Sequence, residues 1–218
     1  MYKELNQLYN IRTIQKNFNQ DELFEELINS DEIETVKLLI KKNTLFSQKI
    51  NINEQICYLK KGVTCTYFQY IPNIIIAKPQ FLNVELILGT EIMDIEAFTD
   101  CQILVFNRLD IMEHIFAMQE GVFFLFNYEK EKKDFLINRI ELLRQKGYPR
   151  LLRLLKELAH ECGEIIDNEC YLPKCFTIKR IAALSNLSTH TISLFHEKMI
   201  KDRILRKDGG QIVFLNKI

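Results

Sequence analysis

The side chains best suited to do chemistry lie near the carboxyl end of the chain, at the starts of two short predicted helices. They are hydroxyl, basic and imidazole groups with one apolar neighbour: Thr177, Lys179, Arg180, Ser188, Thr189, His190, Ser193 and Leu194. Hydroxyls, cations and the free amides of a helix N-terminus bind phosphate oxygens, whereas side chains near the start of a recognition helix reach base edges. This spacing indicates recognition of a nucleic acid.

The elements that must position these groups are two helices joined by a tight turn. Thr177 is a favourable N-cap for a helix over Ile178–Leu184, and Ser188 is one for a second helix over Thr189–Asp202. The turn contains Asn186, and asparagine tolerates a left-handed backbone better than most residues. The spacing of a small residue, a turn residue and an apolar anchor is that of a helix-turn-helix. Those three positions are Ala182, Asn186 and Ile192.

A predicted β-hairpin follows the second helix. Two short strands, Ile204–Lys207 and Gln211–Leu215, flank Asp208-Gly209-Gly210, which is a strong hairpin turn sequence. A helix-turn-helix followed by a hairpin is a winged helix, whose second helix fits the DNA major groove. Winged helices also make protein contacts. A ligand-sensing or protein-interaction module without sequence-specific DNA binding is therefore the alternative.

The chain before residue 107 is rich in predicted strands. An amphipathic helix over Asp21–Asn29 precedes six short segments of β-branched and aromatic residues, which are typical of an antiparallel sandwich or barrel. These segments are Thr35–Ile40, Gln55–Leu59, Val63–Tyr70, Ile74–Ala77, Val84–Leu88 and Cys101–Phe106. Further along, Arg150–Glu161 is a predicted amphipathic helix, and Cys162–Lys174 is interpreted as a loop.

One long helix is predicted between these two parts. Arg108–Lys146 has no proline and one glycine, and its apolar residues recur at steps of three and four. A helix of this length, with the charged centre Glu129–Asp134, bridges domains or pairs with a second chain. The alternative is two ordinary helices broken near Gly121 or Glu129. The shared apolar face would contain Val122, Leu125, Phe126, Leu136, Ile140 and Leu143.

Several stretches of the sequence carry a family resemblance. In the C-terminal part they are Ile181-Ala182, Asn186-Leu187-Ser188, Thr191-Ile192-Ser193, Ile204-Leu205 and Gly210-Gln211-Ile212-Val213. They resemble the DNA-binding domain of Crp/Fnr-type bacterial transcription regulators, and residues 42–63 and 95–106 are more weakly similar to that family's β-roll.

The resemblance implies an α+β fold in three units. Residues 1–107 would form an antiparallel β-roll of the cyclic-nucleotide-binding jelly-roll type, which acts as an effector or sensor-like domain. Residues 108–146 would form a long dimerisation helix, and residues 147–218 a winged helix-turn-helix that binds DNA. The implied assembly is a homodimer on double-stranded DNA, with RNA polymerase as a further partner.

The second predicted helix departs from the family's best-known members. Where those proteins have Arg, Glu and a later Arg, this chain has Thr189, His190 and Leu194. Thr189 or Leu194 can contact a thymine methyl group and His190 can donate to a purine, so an A/T-rich site is expected. The alternative for His190 is an exposed residue without a base contact. Phosphate contacts are expected from Thr177, Lys179, Arg180 and Ser188.

The roll departs from the family as well. Nucleotide-binding members hold the phosphate with an arginine, but no arginine occurs from Lys78 through Asn107. A buried phosphate without a cationic partner is poorly compensated, so cyclic-nucleotide binding is not expected. The pattern resembles the PrfA-like members, which lack the nucleotide pocket. The effector, if there is one, stays unidentified.

Composition excludes other classes of protein. With 47% hydrophobic and 27% charged residues the chain is ordinary globular protein, and no apolar run approaches the length of about 18 residues that spans a membrane. No signal peptide is predicted, so we expect a cytoplasmic protein with six reduced thiols. Their spacing matches no common zinc site, and no Gly-rich phosphate loop or nucleophile motif occurs. We therefore expect no metal, no cofactor and no enzymatic activity.

The charge of the chain is unevenly distributed. The 29 basic and 29 acidic residues cancel overall, but residues 144–218 hold 14 basic against 8 acidic residues. This positive balance suits a segment that binds a phosphate backbone.

Overall fold

The structure, a computed structural model, describes residues 10–87, 89 and 93–215. The first nine residues, where no signal peptide is predicted, and residues 88, 90–92 and 216–218 lie outside this part. The helices are α1 (Ile11–Asn17), α2 (Gln20–Ile28), α3 (Arg108–Ala117), α4 (Val122–Arg144), α5 (Gly147–Cys162), α6 (Ile178–Ser185) and α7 (Thr189–Lys201). The strands are β1 (Thr35–Ile40), β2 (Gln55–Lys61), β3 (Thr64–Phe68), β4 (Ile71–Ile76), β5 (Gln80–Phe81), β6 (Asp94–Ala97), β7 (Cys101–Asn107), β8 (Glu164–Ile166), β9 (Glu169–Tyr171), β10 (Leu205–Asp208) and β11 (Gln211–Phe214).

The first seven strands form two antiparallel sheets. One sheet has the order β1-β7-β2-β5 and the other the order β4-β3-β6. In the larger sheet Thr35 pairs with Phe106 and Gln55 pairs with Asn107. Apolar side chains fill the space between the sheets, among them Ile40, Phe46, Leu59, Ile76 and Ile103. The antiparallel sandwich or barrel predicted from the spacing of the strands is thereby confirmed as two packed antiparallel sheets, which we call the roll.

The larger sheet is covered on its other face by helices. Leu23 and Leu27 of α2 and Ile111 of α3 pack with Ile56 and Phe106 in one buried cluster. Strands buried on both faces need apolar residues at successive positions, which explains why β2 and β7 have nearly continuous apolar sequences.

One predicted strand is wrong. Val84–Leu86 forms a single turn of 3-10 helix in place of a strand, and Leu88 lies outside the described residues. The side chain of Asn83 supplies the physical reason, because it takes the edge hydrogen bonds of β2. Its amide oxygen accepts from the backbone N–H of Cys57 at 2.9 Å, and its amide nitrogen donates to the carbonyl of Gln55 at 2.8 Å.

The long helix predicted over Arg108–Lys146 is interrupted. Helix α3 ends at Ala117 and α4 begins at Val122, so the alternative break near Gly121 is the one observed. Glu120 has a left-handed φ of 71°. A Cβ atom on Gly121 would overlap the carbonyl oxygen of Ile115, so only glycine fits this turn. Helix α4 still runs for 23 residues.

From Gly147 onward the described chain combines the helices α5, α6 and α7 with a small sheet. Helix α5 buries the four predicted leucines, which are Leu151, Leu154, Leu155 and Leu158. The loop predicted over Cys162–Lys174 is wrong, because it contains the hairpin β8–β9, turned by Asp167 and Asn168 with positive φ. This hairpin adds to β10 and β11 in a sheet of order β10-β11-β9-β8. Across the described ranges, no helix has the length and apolar character needed to cross a membrane.

Candidate nucleic-acid interface

Helices α6 and α7 are joined by a tight turn, and the predicted residues shape their ends. Thr177 Oγ1 accepts a hydrogen bond from the amide of Arg180 at 3.4 Å, and Ser188 Oγ accepts one from the amide of Thr191 at 3.0 Å. Asn186 has φ 51° and ψ 48°, so the chain reverses through one left-handed residue. The predicted caps and turn are confirmed.

Arg150 of helix α5 holds this turn in place. Its guanidinium donates to the carbonyl of Ser185 at 3.1 Å and to the carbonyl of Gln145 at 2.8 Å. Both carbonyls lie at helix ends, where backbone acceptors are left unpaired. This positioning residue could not be identified from the sequence, because no local pattern links residue 150 to residue 185.

The first half of α7 presents the predicted base-contacting side chains to solvent. Thr189 and His190 are exposed, and the Leu194 side chain is 51% exposed. Ser193 lies half-buried beside them, and its hydroxyl donates to the Thr189 carbonyl at 3.1 Å. This surface combines an imidazole, hydroxyls and methyl groups with no acidic residue from 188 to 196. These groups can contact base edges in a groove.

Side chains suited to phosphate contact lie at the starts of the two helices. Thr177, Lys179 and Ser188 are exposed. None of the ion pairs formed by the described residues involves Lys179. A cation that has no carboxylate partner is available to neutralise a phosphate.

The second histidine of α7 has a different environment. His196 is 1% exposed, and neither of its ring nitrogens has a hydrogen-bond partner. Burial lowers the pKa of this imidazole to about 4, with a smaller contribution from the charge of Lys207. His196 is therefore neutral at pH 7 and belongs to the core, whereas His190 faces solvent.

The hairpin β10–β11, which we call the wing, has the predicted turn. Both of its glycines have positive φ, 53° and 84°. Arg206 is bound within the domain, because it donates to Glu169 at 2.7 Å and to Asp208 at 2.8 Å. The hydrogen bond from Arg206 lowers the pKa of the Glu169 carboxyl. Lys207 is the exposed cation of the wing.

Arg180, also predicted to contact phosphate, does not face solvent with the other predicted contacts. Its guanidinium binds the roll, where it donates to Glu96 at 2.6 Å and to the Asn43 side chain at 2.9 Å. It also lies over the ring of Phe98, 3.7 Å from the centroid. Because its charge is taken up by Glu96, the phosphate contact expected of Arg180 does not fit this conformation. Lys179, the neighbouring cation, faces solvent instead.

The roll contains a small cavity of about 130 Å³ against helix α4. Tyr128 and Lys132 line it. Behind them both residues contact the buried carboxylate of Glu85. The Tyr128 hydroxyl donates to Glu85 at 2.7 Å, and the Lys132 ammonium lies 3.6 Å from it. Because Lys132 already balances the charge of Glu85, this lysine is not available to bind an anionic ligand in the cavity. No phosphate-binding arginine is present in this part of the sequence.

Metal and disulfide chemistry are not indicated by the side-chain positions. Within residues 10–87, 89 and 93–215, no group of three His, Cys, Asp or Glu residues is placed to hold an ion. The six cysteines are free thiols. Burial raises the pKa of Cys57 to about 12, so that this thiol stays neutral.

No family model matches the chain, and neither does any curated protein. Solved structures are similar along most of its length. FixK2 from Bradyrhizobium japonicum has a TM-score of 0.69 and 15% identity, covering 84% of this chain and 94% of that one. A cyclic nucleotide-binding domain containing protein from Listeria monocytogenes EGD-e has a TM-score of 0.69 and 14% identity, with 89% and 96% covered. A CRP/FNR-family transcriptional regulator from Thermus thermophilus has a TM-score of 0.59 and 17% identity, with 84% and 94% covered.

This likeness establishes the architecture of the chain. Its β-roll and helical half have the fold of CRP/FNR-family transcription regulators.

Proposed function

We propose that this protein is a cytoplasmic transcription regulator of the Crp/Fnr type that binds double-stranded DNA through α7. The observation that carries the proposal is the solvent-facing first half of α7, capped by Ser188 and accompanied by the unpaired cation Lys179. A helix of this kind, followed by a wing, fits the major groove. The net positive charge of residues 144–218 supports binding to the phosphate backbone.

The contacts divide into two kinds. The exposed groups at the starts of the two helices, Thr177, Lys179 and Ser188, position the protein on phosphates. The first half of α7 contacts base edges with Thr189, His190, Ser193 and Leu194. A methyl group from Thr189 or Leu194 packs on the methyl of thymine, and the His190 imidazole donates to a purine N7. We therefore propose an A/T-rich half-site. Without an arginine on this surface, the bidentate contact to guanine is not available.

The functional unit we propose is a homodimer joined along α4. Apolar side chains that are 38–62% exposed lie on one face of this helix, and they are Val122, Phe126, Leu136, Ile137 and Ile140. A second copy related by a two-fold axis would cover this face with its own. Two α7 helices would then meet successive major grooves, with RNA polymerase as the proposed further partner.

The roll is proposed to act without a cyclic nucleotide, as in the PrfA-like members. The buried Glu85, balanced by Lys132 and hydrogen bonded to Tyr128, supports this. So does the lack of an arginine from Lys78 through Asn107. A protein-interaction module without DNA recognition is less well supported, because Thr189, His190 and Leu194 are not covered by other parts of the described chain.

Selection of genomic DNA fragments by the purified protein, followed by fluorescence anisotropy on the enriched duplex, tests the proposal. We expect an A/T-rich consensus with two-fold symmetry. Lys179→Gln should weaken binding to all duplexes and reduce the salt slope by about 1, whereas His190→Ala should change the preferred sequence by about 1–3 kcal/mol at one position.

The matched control is Lys49→Gln, which removes an exposed lysine of the roll and should leave DNA binding unchanged. Failure of the wild-type protein to bind any duplex at low salt would contradict the proposed function and favour the protein-interaction module.

A further inference from the structure

A cavity lies where the roll, the long helix α4 and the helices α5 and α6 meet. Its volume is about 550 Å³, within the range of small-molecule sites. Strand β4 supplies one wall, the second half of α4 another, and α5 with the end of α6 the rest. It shares the side chain of Phe135 with the smaller roll cavity.

The inner surface of this cavity is apolar. The buried side chains Leu142, Leu154, Leu158 and Leu184 line it, and the half-buried Ile75 and Phe135 complete it. Apolar surface of this kind is stabilised when an apolar ligand removes it from water. A ligand that fills the cavity therefore has an aliphatic or aromatic body.

The half-buried guanidinium of Arg139 lies in the cavity, and it forms no ion pair within the described part of the chain. Arg139 donates only to the backbone carbonyl of Pro72, at the long distance of 3.5 Å. Burial lowers the pKa of its guanidinium, an effect that the negative charge of Glu157 partly opposes. A half-buried guanidinium with one long hydrogen bond has donors left over for an anion.

The acidic residues of the cavity are already engaged by other cations. Glu157 accepts from Arg153 Nε at 2.7 Å, and Glu161 lies 3.0 Å from the Lys78 ammonium. Neither of these two carboxylates forms an ion pair with Arg139. Their presence at the rim also disfavours a ligand with two negative charges, so a single carboxylate is the better match than a phosphate.

We propose that this cavity binds a small organic acid, whose apolar body lies on Leu142, Leu154 and Leu158 and whose carboxylate is held by the guanidinium of Arg139. Arginine binds a carboxylate through two parallel hydrogen bonds. Because the walls come from all three units, a bound acid stabilises their present arrangement. If the proposed DNA binding holds, such an acid changes DNA affinity by fixing the orientation of α7.

The test is isothermal titration of the full-length protein, without DNA, with two probe acids. Decanoate has an aliphatic body and naphthoate an aromatic one, and decanol and naphthalenemethanol are their uncharged counterparts. We expect at least one acid to bind, and its uncharged counterpart to bind at least about tenfold more weakly. The acid that binds identifies the class of ligand.

Variants of residue 139 separate a ligand contact from a structural role. Arg139→Met should weaken binding of the acid at least about tenfold. Arg139→Lys should bind more tightly than Arg139→Met but more weakly than wild type, because lysine keeps the charge and loses the two parallel hydrogen bonds. Arg12→Met, which removes an exposed arginine from α1, is the matched control and should bind like wild type. Thermal unfolding of each variant shows that it is folded.

Two outcomes would overturn the proposal: neither acid binds the wild-type protein, or Arg139→Met binds the acid as tightly as wild type. Since no DNA is present, either outcome leaves the proposed regulator function standing. Conversely, a protein that binds decanoate but no duplex would contradict only the proposed function.

Discussion

Arg180 of helix α6 and Glu96 of strand β6 form a 2.6 Å ion pair that joins the C-terminal helices to the roll. Their side chains are 19% and 20% exposed. Glu96 also accepts a 2.6 Å hydrogen bond from the Tyr67 hydroxyl, and the guanidinium lies over the ring of Phe98. The orientation of α7 in this conformation therefore depends on contacts outside the helix-turn-helix.

We expect this ion pair to be strongly coupled. Replacing Arg180 or Glu96 by alanine leaves the other charge mostly buried without its partner, which should lower the free energy of unfolding by about 1–3 kcal/mol. The double variant should lose less than the sum of the two. Urea unfolding of the wild type, both single variants and the double variant measures the coupling energy.

The exposed ion pair between Lys41 and Asp100 is the control for this cycle. It has a similar N–O distance of 2.8 Å, but its side chains are largely open to water, which screens the two charges. We expect no measurable coupling there. Equal coupling in the two pairs would show that burial of Arg180 and Glu96 is not what strengthens their interaction.

The buried imidazole of His196 should make stability depend on pH. Its pKa is about 4 in the folded protein and 6.5 as an unperturbed group, so below pH 6.5 the unfolded chain binds a proton that the folded chain does not. The free energy of unfolding should therefore fall by about 3 kcal/mol between pH 6.5 and pH 4. Urea unfolding across this range measures the loss.

His196→Leu should remove this part of the pH dependence and raise stability at pH 7, because neither imidazole nitrogen has a hydrogen-bond partner in the core. His190→Gln removes the exposed histidine of the same helix and should leave the profile unchanged. A His196→Leu protein that keeps the wild-type profile would assign the pH dependence to other groups.

The helix-turn-helix could be predicted because the forces that shape it are local. Thr177, Asn186 and Ser188 act on backbone groups within three or four residues of themselves, so their identities are enough to place the caps and the turn. The hairpin turn of the wing is local for the same reason. Its glycines adopt the left-handed backbone that two-residue turns require.

Features that depend on distant residues could not be predicted in this way. Val84–Leu86 has strand-forming residues, but the side chain of Asn83 takes the hydrogen bonds of β2 that another strand would need. Arg180 has the position of a phosphate contact in the sequence, and its partner Glu96 lies 84 residues away. The β8–β9 hairpin, in contrast, could have been predicted from Asp167-Asn168, because this dipeptide favours a turn and lies between short apolar segments.

The left-handed backbone of Asn186 gives a further prediction. Asn186→Ala should lower the free energy of unfolding by about 1–2 kcal/mol, because a Cβ-bearing residue without a short polar side chain adopts this conformation at a cost. Asn186→Gly should have little effect. Asn138→Ala, made on the exposed surface of helix α4, is the control and should be neutral or slightly stabilising. Equal loss in the two Asn186 variants would point to the side chain rather than the backbone.

The apolar stripe of α4 predicts how the proposed dimer can be separated. Phe126 and Ile140 are 62% and 57% exposed, on one face of the helix. In a two-fold interface each substitution is repeated in the partner, so Phe126→Glu combined with Ile140→Glu would place four buried carboxylates in one contact. Sedimentation equilibrium should show a dimer for the wild type and a monomer for the double variant.

Leu39→Glu, at an exposed apolar residue of β1, is the control for this experiment and should leave the dimer intact. A wild-type monomer, or a dimer that survives both glutamates, would place the contact between chains somewhere other than α4.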